Sequence, residues 1–250
     1  MLKICKFGGS SLANSKQFVK VKNIITSDEA RKCIIVSAPG KGDNEPQKIT
    51  DLLFACYENR KIASELERLF GLVESRYLTI QKDLGIESTI AEDLAQIKES
   101  LNQDKIGEAE LVSRGEFLSA KLLAAYLGYT FLDSKDLITF GFDGKINHKA
   151  TREKIIEAFK GVEKAVIPGF YGSYPNGDVC LFSRGGSDVT GSYFAEALDA
   201  NLYENFTDVS GFYMSDPRLI PNPHKINEIS YEELRELSYM GASVLHAEAI

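Results

Sequence analysis

The sequence predicts an α/β fold, and three observations predict it. Two short apolar segments run straight into glycine turns and then into helix-patterned sequence: residues 2–7 into Gly8-Gly9-Ser10-Ser11, and residues 179–182 into Gly185-Gly186. Residues 33–37 (CIIVS) form a continuous apolar run, the pattern of a strand covered on both faces. Residues 62–127 read as almost wholly helical, with apolar stripes led by Leu66, Phe70 and Tyr77, by Ile90, Leu94 and Leu101, and by Leu111, Leu118, Leu122 and Ala125.

The remaining elements follow in order. After the first glycine turn, Phe18, Val21, Ile24 and Ile25 share one helix face. Ala38-Pro39-Gly40 opens a polar loop to Lys48, and Thr50-Asp51 opens the next helix. Gly115-Glu116 stands ahead of a strongly apolar helical run, where Glu116 reads as a first-turn acid favoured by the helix dipole. Residues 129–132 read as a strand, 137–140 as an edge strand, 151–159 as a short helix and 165–170 as another strand. Pro175-Asn176-Gly177 is a hairpin turn leading back to Phe182. Residues 201–206 form the last strand and 231–240 an amphipathic helix.

Bulk properties narrow the function. The 250 residues allow one large α/β domain or two small ones. A net charge of −7 argues against nucleic acid as the main partner, but not against a nucleotide held by a local cluster of donors. No apolar run has the length of a membrane span, and the opening MLKICKFGGSS has no signal-peptide core, which points to the cytoplasm. Cys5, Cys33, Cys56 and Cys180 are scattered in apolar stretches and read as reduced core thiols. His148, His224 and His246 are isolated, so no metal site built from side chains alone is expected.

The chemistry gathers at the two glycine turns. A strand, a glycine turn and a helix start bring free N–H groups and the helix dipole to bear on an anion. Lys6 stands at the mouth of the first turn, which is not a GxxxxGK[ST] loop. Arg184 and Asp188 bracket the second with opposite charges, a pairing suited to a zwitterion. Ser187 and Thr190 are further helix-starting residues there. Thr207 and Asp208 lie at a strand's carboxyl end, Tyr213 offers a ring face for a base, and Arg218 a phosphate contact. Taken singly, each of these reads equally as an ordinary turn, a core residue or a surface charge.

In this order along the chain, however, KFGGSS (residues 6–11), SRGEFLSAKLLAAYL (113–127), FSRGGSDVTG (182–191), FTDVSGFYMSDPR (206–218) and EISYEELRELSYMGASVLH (228–246) resemble the aspartokinase family of the amino-acid kinase superfamily. The resemblance implies a three-layer α/β/α sandwich around a mainly parallel sheet. It implies transfer of the γ-phosphoryl group of ATP, with Mg²⁺ on the phosphates, to the β-carboxylate of L-aspartate, the first step toward lysine, threonine and methionine. Lys6 would neutralise the transferring group, with Gly8, Gly9 and Ser10 cradling it. Thr50 and Glu116 would line the aspartate pocket, Arg184 would hold the α-carboxylate, and Ser187 and Asp188 would orient the substrate. Thr207, Asp208, Tyr213 and Arg218 would hold ATP, in a nucleotide-binding part beginning near residue 200. A homodimer is expected, as is a catalytic module without the paired ACT regulatory domains into which the family continues.

Two positions depart from the family pattern: Ser243 stands where a lysine is usual, and Ala247 where a proline follows the histidine. Two other readings fit the same motifs. One is a kinase of another small acceptor, such as glutamate, acetylglutamate or a nucleotide. The other is a module that binds ATP or aspartate without turnover.

Overall fold

The computed structural model describes residues 1–42, 45–183, 185–207, 211, 213 and 222–239. Strand β1 (Lys3–Phe7) passes into a single 3-10 turn over Gly9–Leu12 and then into α1 (Ser15–Thr26). The Asn14 side chain caps α1 by accepting from the Gln17 amide, and Phe18, Val21 and Ile25 recur at helical spacing to bury one face. β2 (Arg31–Val36) lies parallel to β1 with Phe7 opposite Val36.

Four helices follow: α2 (Ile49–Glu58), α3 (Ala63–Leu84), α4 (Ile90–Asn102) and α5 (Glu108–Leu127). The stripes of α3 and α4 are buried as their spacing requires. Next come β3 (Thr130–Phe131), α6 (Ser134–Leu137), α7 (His148–Ala158) and β4 (Ala165–Pro168). A hairpin of β5 (Tyr171–Ser173) and β6 (Val179–Leu181) leads to α8 (Gly186–Ala197), then β7 (Leu202–Phe206) and α9 (Tyr231–Tyr239).

The main sheet has the order β3-β4-β2-β1-β7, and every pairing in it is parallel. Its two faces feed separate cores. Cys5, Phe7, Ile34 and Val36 pack with residues of α1 to α5, whereas Ile4, Cys33 and Ile35 pack with α7, α8 and the hairpin. Helices therefore cover both faces, giving the three layers, and this explains why β2 reads as an unbroken apolar run. Each fully buried Ile, Val or Phe contributes about 1.5–3 kcal/mol. All four cysteines are buried and free.

Two local readings are corrected. Glu116 is not in a first turn: α5 begins at Glu108, so the residue lies mid-helix. The apolar run at 137–140 is not a strand, because Asp133 caps the short helix α6 and only isolated bridges at Thr139 and Phe140 follow. The strand ahead of the second glycine turn is β6, which pairs antiparallel with β5 outside the parallel sheet, as the hairpin turn at Pro175-Asn176-Gly177 implies. In addition, Ala125 of the third stripe is exposed, since α5 is wrapped by neighbours on most but not all sides.

An ion pair ties the sheet together across β1. Arg31 donates from Nε and a terminal nitrogen to the two Glu204 oxygens at 2.7 and 2.9 Å, and the two side chains are only 14% and 18% exposed. That hydrogen bond, more than anything else, holds the Glu204 carboxyl below its ordinary range. Arg31→Met should destabilise the protein by about 2–3 kcal/mol in urea titrations at neutral pH, because Glu204 is left without its partner. The depressed carboxyl makes this contribution present at neutral pH and lost in acid, so the loss should shrink as Glu204 protonates.

Candidate active site

Lys6 is the last-but-one residue of β1, and its Nζ lies 2.7 Å from Asp188 Oδ1 on α8, with both side chains 12% exposed. A Cβ built on Gly8 would sit 3.6 Å from that Nζ, so the ammonium folds back over the glycine turn. The turn is held by close backbone packing. Gly40 N–H donates to the Gly9 carbonyl at 2.8 Å, and a Cβ on Gly9 would come within 2.8 Å of Ala38 O. Only glycine permits that approach. Gly9→Ala should push the turn off the Ala38-Pro39-Gly40 loop and lower kcat at least about tenfold with the fold retained by circular dichroism, since small displacements of positioning groups are costly.

The second glycine turn is set by different means. Gly185 takes φ +59° ahead of α8, a conformation side chains resist. Beside it Phe170, not a glycine, has φ +79°, and its amide is held by Thr190 Oγ1 at 3.2 Å. Such backbone strain persists only where the surroundings over-determine it. Ser187 accepts from Ser37 Oγ at 2.9 Å, and a Cβ on Gly169 would fall 2.5 Å from Ser187 Oγ.

Glu116 approaches from a third direction, on α5. It is buried, and its Oε2 has no hydrogen-bond partner among the described residues. Burial pushes its carboxyl up to about 8, opposed by the backbone amides of Ala38 and Glu116 itself and by Arg114. The preceding Gly115 lets α5 close on the β2 exit, as a Cβ there would lie 2.8 Å from Ala38 Cβ, and Tyr77 of α3 donates to Gly115 O at 2.6 Å. Thr50 stands half-buried in the first turn of α2.

One short loop therefore joins the pieces. Ser37 touches α8, Ala38 touches both Gly9 and Gly115, and Gly40 binds Gly9. In the sequence, Ser37 reads as the end of the strand at 33–37, and Ala38 and Gly40 as the start of a polar loop, none of them as a site residue. Their signal was a Ser-Ala-Pro-Gly run directly after the most apolar strand, at the sheet end where ligands bind. Ser10 is exposed at the tip of the 3-10 turn. Thr207 follows β7 and is half-buried, and Tyr213 is half-buried and bridged to Lys225. Arg184, Asp208, Arg218, Ser243 and Ala247 lie outside the described residues.

This arrangement offers a cation next to backbone donors for a phosphoryl group, and buried carboxyl groups for an ammonium. Among the described residues no group of three or more His, Cys, Asp or Glu could hold a metal ion alone, and no helix is long and apolar enough to cross a membrane.

Residues 1–250 match the model of the Amino acid kinase family. The chain belongs to that family. Among characterised amino acid kinases it is 40% identical to aspartokinase 3 of Bacillus subtilis, over all of this chain and 58% of the relative. It is 30% identical to a bifunctional aspartokinase/homoserine dehydrogenase of Buchnera aphidicola, over all of this chain and 33% of that protein. The crystal structure of Clostridium acetobutylicum aspartate kinase superposes with TM-score 0.91 at 50% identity, over the whole chain and 56% of that structure. Escherichia coli aspartokinase III, solved with aspartate and ADP, superposes with TM-score 0.88 at 26% identity, over the whole chain and 58% of that structure. The sequence thus spans a little over half the length of the single-function relatives it matches.

Proposed function

We propose that this amino acid kinase transfers the γ-phosphoryl group of ATP to the β-carboxylate of L-aspartate, giving 4-phospho-L-aspartate for amino-acid biosynthesis in the cytoplasm. The observation that supports it most is the Lys6–Asp188 pair beside the Gly8-Gly9 turn, reinforced by likeness to aspartate kinases over the full chain. An aspartate carboxylate has a pKa of about 4 and is already ionised, so the reaction needs no general base. An oxygen of that carboxylate bonds to phosphorus while the bond from phosphorus to the β–γ bridging oxygen breaks, and ADP leaves with the electron pair.

The obstacle is an anion approaching a polyanion, which positioning and charge neutralisation overcome. In this reading Asp188 gives up Lys6 when the substrate ammonium arrives, and Lys6 turns to the γ-phosphoryl group over Gly8, Gly9 and Ser10. Glu116 and Thr50 line the acceptor pocket, and Ser187 orients the substrate. Arg184 takes the α-carboxylate, while Thr207, Asp208, Tyr213 and Arg218 hold the nucleotide, in the part of the chain beginning near residue 200. Mg²⁺ fits as a companion of the phosphates, because Asp188 is already engaged by Lys6 and no acidic cluster stands ready for it among the described residues. When bound it supplies charge neutralisation on the phosphoryl oxygens. The active species is proposed to be a homodimer.

A panel of acceptors with ATP and Mg²⁺, read by ADP release and by phosphorus NMR of the acyl phosphate, tests the reading. Aspartate is expected to be the preferred acceptor. ADP release with glutamate, acetylglutamate or a nucleotide but not aspartate would replace it, and calorimetric binding without release would make the chain a binding module.

A further inference from the structure

Arg76 projects from the middle of α3 and, among the described residues, makes no ion pair with a carboxylate. Instead its guanidinium donates to three main-chain carbonyls: Ala13 O at 3.3 Å, Gly40 O at 3.2 Å and Gln47 O at 3.3 Å. They belong to two loops, Ala13 to the turn after β1 and Gly40 and Gln47 to opposite ends of the loop between β2 and α2. Ala13 closes the 3-10 turn that begins at Gly9, Gly40 is the residue whose amide holds the Gly9 carbonyl, and Gln47 lies just ahead of α2 and Thr50. The guanidinium is partly desolvated, which lowers its pKa, and Glu45 offers only a partial electrostatic return. A planar fork of fixed donors suits three converging carbonyls in a way that a lysine's single point charge does not.

The residue next in sequence, Tyr77, donates to Gly115 O and so steadies the turn of α5 that carries Glu116. Two adjacent residues of one rigid helix therefore reach the supports of the lysine turn and of the buried carboxyl. We infer that Arg76 is a positioning residue for phosphoryl transfer, fixing the Gly8-Gly9-Ser10 turn against Gly40 and setting the loop that presents Thr50. The inference rests on the reading of those loops as the phosphoryl and acceptor sides of the site. Second-layer residues of this kind influence rate through the geometry of the groups they hold.

Arg76→Met and Arg76→Lys in the full chain test this. The Arg76 side chain also borders an open groove of about 430 Å³ between α1, α3 and residues 45–47, so the shorter methionine meets no steric conflict. Two measurements are made: amide hydrogen exchange, and steady-state kinetics with aspartate and ATP. Arg76→Met is expected to speed exchange selectively at residues 9–13, 40 and 47–50, leaving β2 and α4 unchanged. It should also lower kcat about 10- to 100-fold with a much smaller change in the aspartate KM. Arg76→Lys, able to reach one carbonyl at a time, should recover part of both effects. Unchanged exchange at those loops, or loosening spread evenly through the core, overturns the inference. If the wild-type protein phosphorylates no acceptor, the proposed activity falls, while the exchange pattern still decides whether Arg76 holds the loops.

Discussion

Lys6→Met is expected to lower kcat by about 10²- to 10³-fold while changing the aspartate KM only a few-fold, the loss seen when a pre-placed charge partner of a developing anion is removed. The reason is geometric. Lys6 Nζ lies over Gly8 and within 2.7 Å of Asp188, so the substitution removes the ammonium that folds over the first glycine turn. The same change leaves the Asp188 carboxylate without its cation, with 12% of the side chain exposed, and an unpaired carboxylate this sheltered destabilises by about 3 kcal/mol. Stability and rate must therefore be separated. Lys6→Met/Asp188→Asn should regain most of the lost stability in urea titrations without regaining rate. A kcat within tenfold of wild type for Lys6→Met in folded protein would remove Lys6 from the chemistry, and recovery of rate in the double variant would assign its effect to folding alone.

The sequence made the core and the Lys6 turn legible for one reason: their signals are periodic or local. Phe18, Val21 and Ile25 recur at helical spacing, the run at residues 33–37 lacks alternation because both faces of β2 are covered, and Gly8-Gly9 follows a strand directly. The misreading at Glu116 depends on a contact far apart in the chain. Glu116 looked like a first-turn acid because Gly115 resembles a helix start, yet that glycine exists to let α5 close on Ala38, 77 residues earlier in the chain. The segment at 137–140 has strand composition, but the Asp133 cap begins α6 immediately before it. Arg76 gave no signal at all. Its partners are backbone carbonyls, which no pattern of side chains marks.

Glu116→Gln should produce two opposed effects, and both follow from the buried carboxyl. An ordinary glutamate near 4.5 that burial has pushed up to about 8 is held in its neutral form, and the difference amounts to on the order of 5 kcal/mol. Between those values the unfolded chain has lost the proton and the folded one retains it. This contribution is therefore fully present below the unfolded value and lost as pH rises to about 8. The Gln variant has no such proton, so its stability relative to wild type should climb from pH 5 to pH 8.5, read as Tm or urea midpoint. The tyrosines facing the carboxyl cannot reproduce this trend, because burial holds Tyr77 and Tyr171 well above the range. Function should move the other way. A substrate ammonium can claim the unpartnered Oε2 only as the carboxyl ionises, so the aspartate KM of the wild type should rise as pH falls below about 8, by up to tenfold per unit. Glu116→Gln should raise that KM about 10- to 150-fold, the value of a hydrogen bond to a charged group, and flatten its pH dependence. A variant that gains stability at high pH yet keeps wild-type KM and its pH profile would mean that Glu116 is a buried structural acid, and the acceptor pocket would have to be sought elsewhere along the Ser37–Gly40 loop.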